Sequence, residues 1–104
     1  MIAVVYRFSI ESGQFDLYQQ HWQTMVDFLQ ANRGAIGSVL HRVGRNEIMI
    51  YSNWPDRQTY EQSWPDEDNI KEELPEDIAL IALEMRGCIV GDVDYQVMDV
   101  IHKK

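Results

Sequence analysis

Five large apolar side chains, Phe15, Tyr18, Trp22, Met25 and Leu29, recur at alternating intervals of three and four residues. At about 100° per residue this spacing collects them into one stripe roughly 80° wide on a helix, and such a stripe has to be laid against another element. The preceding segment offers one. Residues 2–9, IAVVYRFS, are rich in β-branched and aromatic side chains, so Ile2, Val4, Tyr6 and Phe8 share one face of a strand while Arg7 points the other way. Ser12 and Gly13 mark the turn between strand and helix, and Asn32 and Gly34 supply the helix stop.

Two further β-rich runs follow, IGSVLHRV at 36–43 and EIMIYSNW at 47–54, joined by a short turn at 44–46 that contains glycine and asparagine. That pattern predicts an antiparallel hairpin. Pro55 ends the second run because it has no ladder donor, and its fixed φ suits the first turn of a helix. The spacing predicts a helix over DRQTYEQSW, closed by Pro65, then an acidic loop or helix start, and a helix opening at Pro75, Glu76 and Asp77. Ile78, Ile81, Ala82 and Met85 share a face of that helix, with Gly87 or Gly91 as its end, and 92–101 alternates as a last strand.

The order is therefore βαββαβ, a ferredoxin-like α+β fold in one domain over residues 1–104, with an antiparallel four-stranded sheet and its helices on one face. Val5, Arg7, Met49 and Tyr51 fall on the other face. That set is too apolar to stay wet, so a homodimer closing the two sheets into a dimeric α+β barrel is the expected arrangement.

Charge narrows the partners. Nine basic against 17 acidic residues leave a net of −8, which disfavours nucleic acid. Residues 66–77, DEDNIKEELPED, hold seven acids and one lysine, a pattern more typical of a solvated segment than of a site. A single cysteine, Cys88, fits a reducing compartment, and neither a signal peptide nor a membrane span is legible, so a cytoplasmic location with no membrane partner is expected. The three histidines lack close spacing and there is no HExxH or CxxC, so no metal is expected. Cys88 in MRGCIV sits in an apolar setting that raises a thiol pKa, which argues against a nucleophile.

The opening IAVVYRF, the helix carrying Trp22, the IGSVLHR strand and above all IYSNWPDRQTYE resemble the antibiotic biosynthesis monooxygenase (ABM) domains of the dimeric α+β barrel superfamily. The resemblance covers residues 1–64 and, more loosely, the last strand. It implies a pocket between sheet and helices in each subunit and a small-molecule substrate. Members of known activity oxidise polycyclic phenols to quinones with molecular oxygen and no cofactor, while others degrade haem or process small signalling molecules. The haem branch uses an asparagine on the first strand, where Tyr6 stands here, and a histidine about ten residues past its tryptophan, where this chain has the acidic run. Haem degradation is therefore not expected.

The resemblance thus implies a cofactor-independent, monooxygenase-like oxidoreductase acting on a small planar aromatic or quinone-type compound. Such chemistry needs an ionised, electron-rich substrate in a dry aromatic pocket with donors for negative charge. His41 is the base by type and Tyr6 the second proton-handling group, although a solvent-facing or dimer-contact histidine and a plain core tyrosine are the competing readings. Trp22, Trp54, Tyr60 and Trp64 are the candidate pocket walls, with a well-filled core as the alternative. Asn53 completes the substrate-binding set, but strand alternation allows only one of Asn53 and Trp54 to face the helices. His21 lies on the flank of the first helix. A non-catalytic dimer that binds or senses a small molecule is the alternative function on the same fold.

Overall fold

The structure, a computed structural model, describes residues 1–104 apart from the side chain of Glu67. The chain runs β1 (Ile2–Ile10), α1 (Phe15–Asn32), β2 (Gly37–Gly44), β3 (Glu47–Trp54), α2 (Arg57–Glu61), α3 (Ile70–Glu73), α4 (Glu76–Cys88) and β4 (Ile89–Asp99). The strands form one antiparallel sheet in the order β2-β3-β1-β4. This is the ferredoxin-like α+β arrangement that the order of sequence periods predicts.

Alternation along β1 and β3 sorts the side chains as expected. Ile2, Val4, Phe8, Ile48, Ile50 and Trp54 are buried under the helices. On the open face the register sets Val5 opposite Tyr51 and Arg7 opposite Met49, and Arg7 is ion-paired with Glu47. Helix α1 turns its stripe onto the sheet, where Tyr18 and Met25 are buried and Phe15, Trp22 and Leu29 half-buried. The chain leaves α1 through Gly34, whose φ of +82° is left-handed and whose added Cβ would lie 2.9 Å from Thr59 Cγ2. Glycine is thus required there twice, by backbone and by space.

Helix α4 does not lie flat on the sheet. It packs principally on α1, burying Ile78 and Ala79 in a cluster with Met25 while Ile81, Ala82 and Met85 flank it. The helix-side surface of β4 is left partly open, with Tyr95 64% exposed.

Three helix boundaries differ from expectation, and the last strand runs Ile89–Asp99 rather than 92–101. The helix after Trp54 is one short turn, Arg57–Glu61, rather than nine residues, because Asp56 takes the N-cap and accepts a 2.7 Å hydrogen bond from the Thr59 backbone N–H. Pro55 therefore stands outside the helix instead of opening it. At the other end Ser63 Oγ donates to the Tyr60 carbonyl at 2.6 Å and the chain bends away. Neither Gly87 nor Gly91 ends α4: Cys88 does, and Ile89 enters β4 at once. Gly91, at φ +78°, instead occupies an irregularity in the β1–β4 ladder, where the pairing jumps from Arg7 with Asp94 to Ser9 with Val90. The acidic run contains a 3-10 turn and the short α3.

Candidate functional site

Between α1 and the sheet lies a cavity of about 150 Å³. Its floor includes Tyr6 from β1, the hydroxyls of Ser38 and Ser52 from the hairpin, and Trp54; its roof includes Trp22 and Leu29 from α1. Two adjoining clefts, of about 310 and 380 Å³, share Tyr6 and Leu29 with it. Tyr60, Glu61 and Trp64 complete the smaller of these, and Trp64, Met85 and Arg86 lie along the larger. Tyr6 thus stands where all three meet.

The Tyr6 ring is held from three sides. Its hydroxyl lies 2.8 Å from the Tyr60 hydroxyl, its ring stacks on Tyr95 at 6.0 Å between centroids, and neighbouring positions of β1 fix its backbone. Tyr60 is set by packing edge-on against Trp54, with centroids 5.6 Å apart and an interplanar angle of 63°. Burial first, and the Tyr60 hydrogen bond second, push the Tyr6 pKa far above that of a free phenol. Tyr6 is therefore a neutral hydroxyl at physiological pH. Two paired hydroxyls carry two hydrogens and use one between them, so the pair always retains one O–H to donate to a neighbour.

The floor carries a second hydroxyl pair, Ser38 Oγ and Ser52 Oγ at 3.0 Å. These residues are absent from the sequence expectations, although the signal for them is present: Ser52 is two residues before Trp54, and the hairpin register pairs Ser38 with Ser52. Trp22 Nε1 is buried and has no hydrogen-bond partner among the described residues.

Five of the expected residues, Tyr6, Trp22, Trp54, Tyr60 and Trp64, line this connected set of clefts. Two do not. His41 does share a face with Val39, but its pairing with Met49 puts both on the open side of the sheet, where His41 is exposed. Asn53 likewise points away from the helices, with Trp54 taking the inner position. His21 on the outer flank of α1 is bonded to Glu84 Oε2 at 2.6 Å, which ties α1 to α4. Cys88 is buried, and burial raises its thiol pKa as its apolar setting predicts. Among the described residues no group of three or more His, Cys, Asp or Glu is placed to hold a metal ion, and no helix is long and apolar enough to cross a membrane.

The fold that encloses the clefts has known counterparts. A putative antibiotic biosynthesis monooxygenase from Caulobacter crescentus superimposes with a TM-score of 0.75 at 10% identity, covering 97% of this chain and 90% of that one. SnoaB, a cofactor-independent oxygenase from Streptomyces nogalater, does so with a TM-score of 0.73 at 12% identity, covering 98% and 94%. A further antibiotic biosynthesis monooxygenase gives 0.72 at 13% identity, covering 98% and 100%. At these identities the superpositions speak for the fold. No curated protein sequence matches the chain. The family model for antibiotic biosynthesis monooxygenase, however, matches residues 1–72, well over half of the sequence, and the chain belongs to that family.

Proposed function

We propose that the chain is a cofactor-independent oxygenase for a small planar aromatic compound, a phenol oxidised to a quinone, bound between α1 and the sheet. The observation that carries this reading is the Tyr6–Tyr60 hydroxyl pair at the junction of the aromatic clefts. In such a reaction the substrate loses a proton, its anion passes an electron to oxygen, and recombination at carbon gives a peroxide. Loss of water then leaves a carbonyl where the ring carbon of the phenol bore its one hydrogen; that hydrogen and the phenolic proton leave in the water, with one oxygen atom staying in the product and the other departing. Negative charge gathers on the substrate oxygen in the first step and on the peroxide in the second. A neutral hydroxyl pair with one hydrogen to spare supplies the donor for it in a pocket with few other polar groups.

The proton acceptor is a separate matter. His41 lies across the sheet, and the walls of the 150 Å³ cavity hold no carboxylate or imidazole among the described residues. Glu61, next to Tyr60 on the adjoining cleft, is the carboxylate we assign to take the proton out toward solvent.

The open sheet face belongs to the same reading. Val39 is 51% exposed there, beside Tyr51, Val5 and Met49. A second copy of the chain covering this apolar surface makes a homodimer with the cavities on its outer sides. The dearth of basic groups at the cavity favours one alternative, a dimer that binds a planar metabolite without turning it over.

Oxygen uptake with a panel of one-, two- and three-ring phenols that carry a free ring position para to the hydroxyl, measured in air and under argon, separates these readings. Oxygen-dependent quinone formation well above the uncatalysed rate is expected for at least one of them. Ligand binding with no rate enhancement for any member replaces the oxygenase reading with the binding one.

A further inference from the structure

Two serines break the pattern of the sheet's helix-facing surface. Around them the inward positions of β1, β2 and β3 are Val4, Phe8, Leu40, Ile48, Ile50 and Trp54. Ser52 stands opposite Val4, which is fully buried, and Ser38 stands opposite Ser52, so both serines lie on that same side. Both are half-buried, and both line the cavity. Valine suits a pleated, half-buried surface better and would remove more apolar area from water at either position. With Ala35 and Gly37 beside them, the short serine side chains leave open the space that valines would fill.

The pair also has bonding capacity to spare. The two hydroxyls lie 3.0 Å apart and carry two hydrogens, of which one is used between them. The other is available to an acceptor, as is the one left over on the Tyr6 and Tyr60 hydroxyls. The two pairs stand apart on the floor. Tyr6 faces Ile50, Ser52 lies two residues further along β3, and Ser38 is one strand beyond. At ~3.4 Å per residue and ~4.8 Å per strand, Tyr6 and the middle of the serine pair are about 10 Å apart along the sheet. The cavity of about 150 Å³ is comparable to apolar protein cavities of about 150 Å³ that hold one benzene ring. On a single ring, two oxygens are furthest apart when they are para to each other.

We infer that the Ser38 and Ser52 hydroxyl pair is the hydrogen-bond donor for a second oxygen on the ligand, on the side of the ring para to the oxygen held by Tyr6 and Tyr60. The site then selects rings oxygenated at both ends, such as quinones and para-hydroxy aryl ketones, over rings oxygenated at one. The inference rests on the cavity being the ligand site proposed above, and it deepens that reading. The para carbon is the one that the proposed oxidation turns into a carbonyl, so the serines hold the new oxygen of the quinone.

The test compares 4-hydroxyacetophenone with 4-ethylphenol, two probes alike in size and in the phenol hydroxyl that differ in the carbonyl. Their para positions are substituted, so neither is oxidised to a quinone and binding is read alone. Dissociation constants are measured by NMR titration of the wild-type protein and of the double variant Ser38→Ala, Ser52→Ala. Removing both partners of a hydrogen bond leaves neither unsatisfied, so the double variant is expected to fold. It should bind 4-hydroxyacetophenone ~5- to 10-fold more weakly, the factor that one hydrogen bond between neutral groups represents, and 4-ethylphenol within about twofold of wild type. Equal weakening of both probes, no weakening of the ketone, or failure of the ketone to bind the wild-type protein overturns the inference. Each of these results leaves oxygen-dependent turnover of a phenol with a free para position, the measurement on which the oxygenase reading stands, free to be observed or not.

Discussion

The hydroxyls of Tyr6 on β1 and Tyr60 on α2 meet at 2.8 Å across 54 residues of sequence. The contact joins the central strand to the short helix that follows the Trp54-Pro55 joint, and it does so at the point where three clefts converge. If the pair donates to a developing oxyanion, neither hydroxyl acts alone. Tyr6→Phe and Tyr60→Phe are each expected to lower kcat/KM about 10- to 100-fold, within or below the range seen for loss of one oxyanion donor. The double variant is expected to fall little further than the worse single, since the two act as a unit. Stability should change by only about 1 kcal/mol in each single variant. Oxygen consumption and urea denaturation on the same samples separate the two effects.

The same burial makes an alkaline weak point. Desolvation raises the Tyr18 pKa as it raises that of Tyr6. Both phenols therefore hold their protons in the folded chain at a pH where the unfolded chain releases them, near ~10. Below that pH both states are protonated and the groups contribute no pH dependence. Above it the unfolded state binds fewer protons than the folded one, so stability declines as pH rises, by up to ~1.4 kcal/mol per pH unit for each tyrosine. Thermal melts between pH 8 and 11 should show a flat midpoint and then a steep fall, and Tyr18→Phe should make the fall shallower. An unchanged slope in that variant would place the alkaline loss elsewhere.

Much of this was legible beforehand, for a reason that particular residues show. Period-2 alternation placed Tyr6 with Val4 and Phe8, and the three-and-four spacing placed Trp22 between Tyr18 and Met25, because the side chains that mark each period are the ones the core buries. Alternation also put Val39 and His41 on one face. It could not say which face, since the hairpin's sidedness is set by its pairing with β1. Tyr60 and Trp64 reach one cleft as expected from a shared helix face, yet by another route: α2 ends at Glu61, and the bend at Ser63 returns Trp64 to the cleft wall. The Asp56 cap competes with a helix start at Pro55, and local spacing does not rank the two. Gly91 is the remaining instance, since left-handed glycine serves a helix stop and a strand irregularity equally well.

His41 supplies the sharpest contrast between the two sides of the sheet. His41→Ala is expected to leave ligand affinity and kcat/KM within about twofold of wild type, as usual for exposed side chains remote from a site. Val39→Asp, its neighbour on the same face, should act on assembly instead. A carboxylate buried in an apolar sheet-to-sheet contact is costly to desolvate, so the variant is expected to sediment at the monomer mass while the wild-type chain sediments as a dimer. A wild-type monomer at ~100 μM would refute the dimer, and a tenfold loss of turnover in His41→Ala would return the base to that face.

Trp54 is the residue on which fold and cavity depend together. It is 4% exposed, packs with Ile2 and Val4, and presents its ring to the edge of Tyr60. Trp54→Ala is expected to cost ~3–5 kcal/mol, the range for removing a buried aromatic, and to free Tyr60 from the position that aligns its hydroxyl with Tyr6. Trp54→Phe keeps a ring against Ile2 and Val4, so most of the stability should remain while the cavity gains volume at its floor. The consequence is a change in preference rather than a loss: relative to wild type, Trp54→Phe should bind two-ring ligands better and one-ring ligands no better. Urea midpoints together with dissociation constants for phenol and 1-naphthol check both halves. A Trp54→Phe variant that is fully stable yet binds both ligands as wild type does would show that Trp54 closes the core without shaping the site.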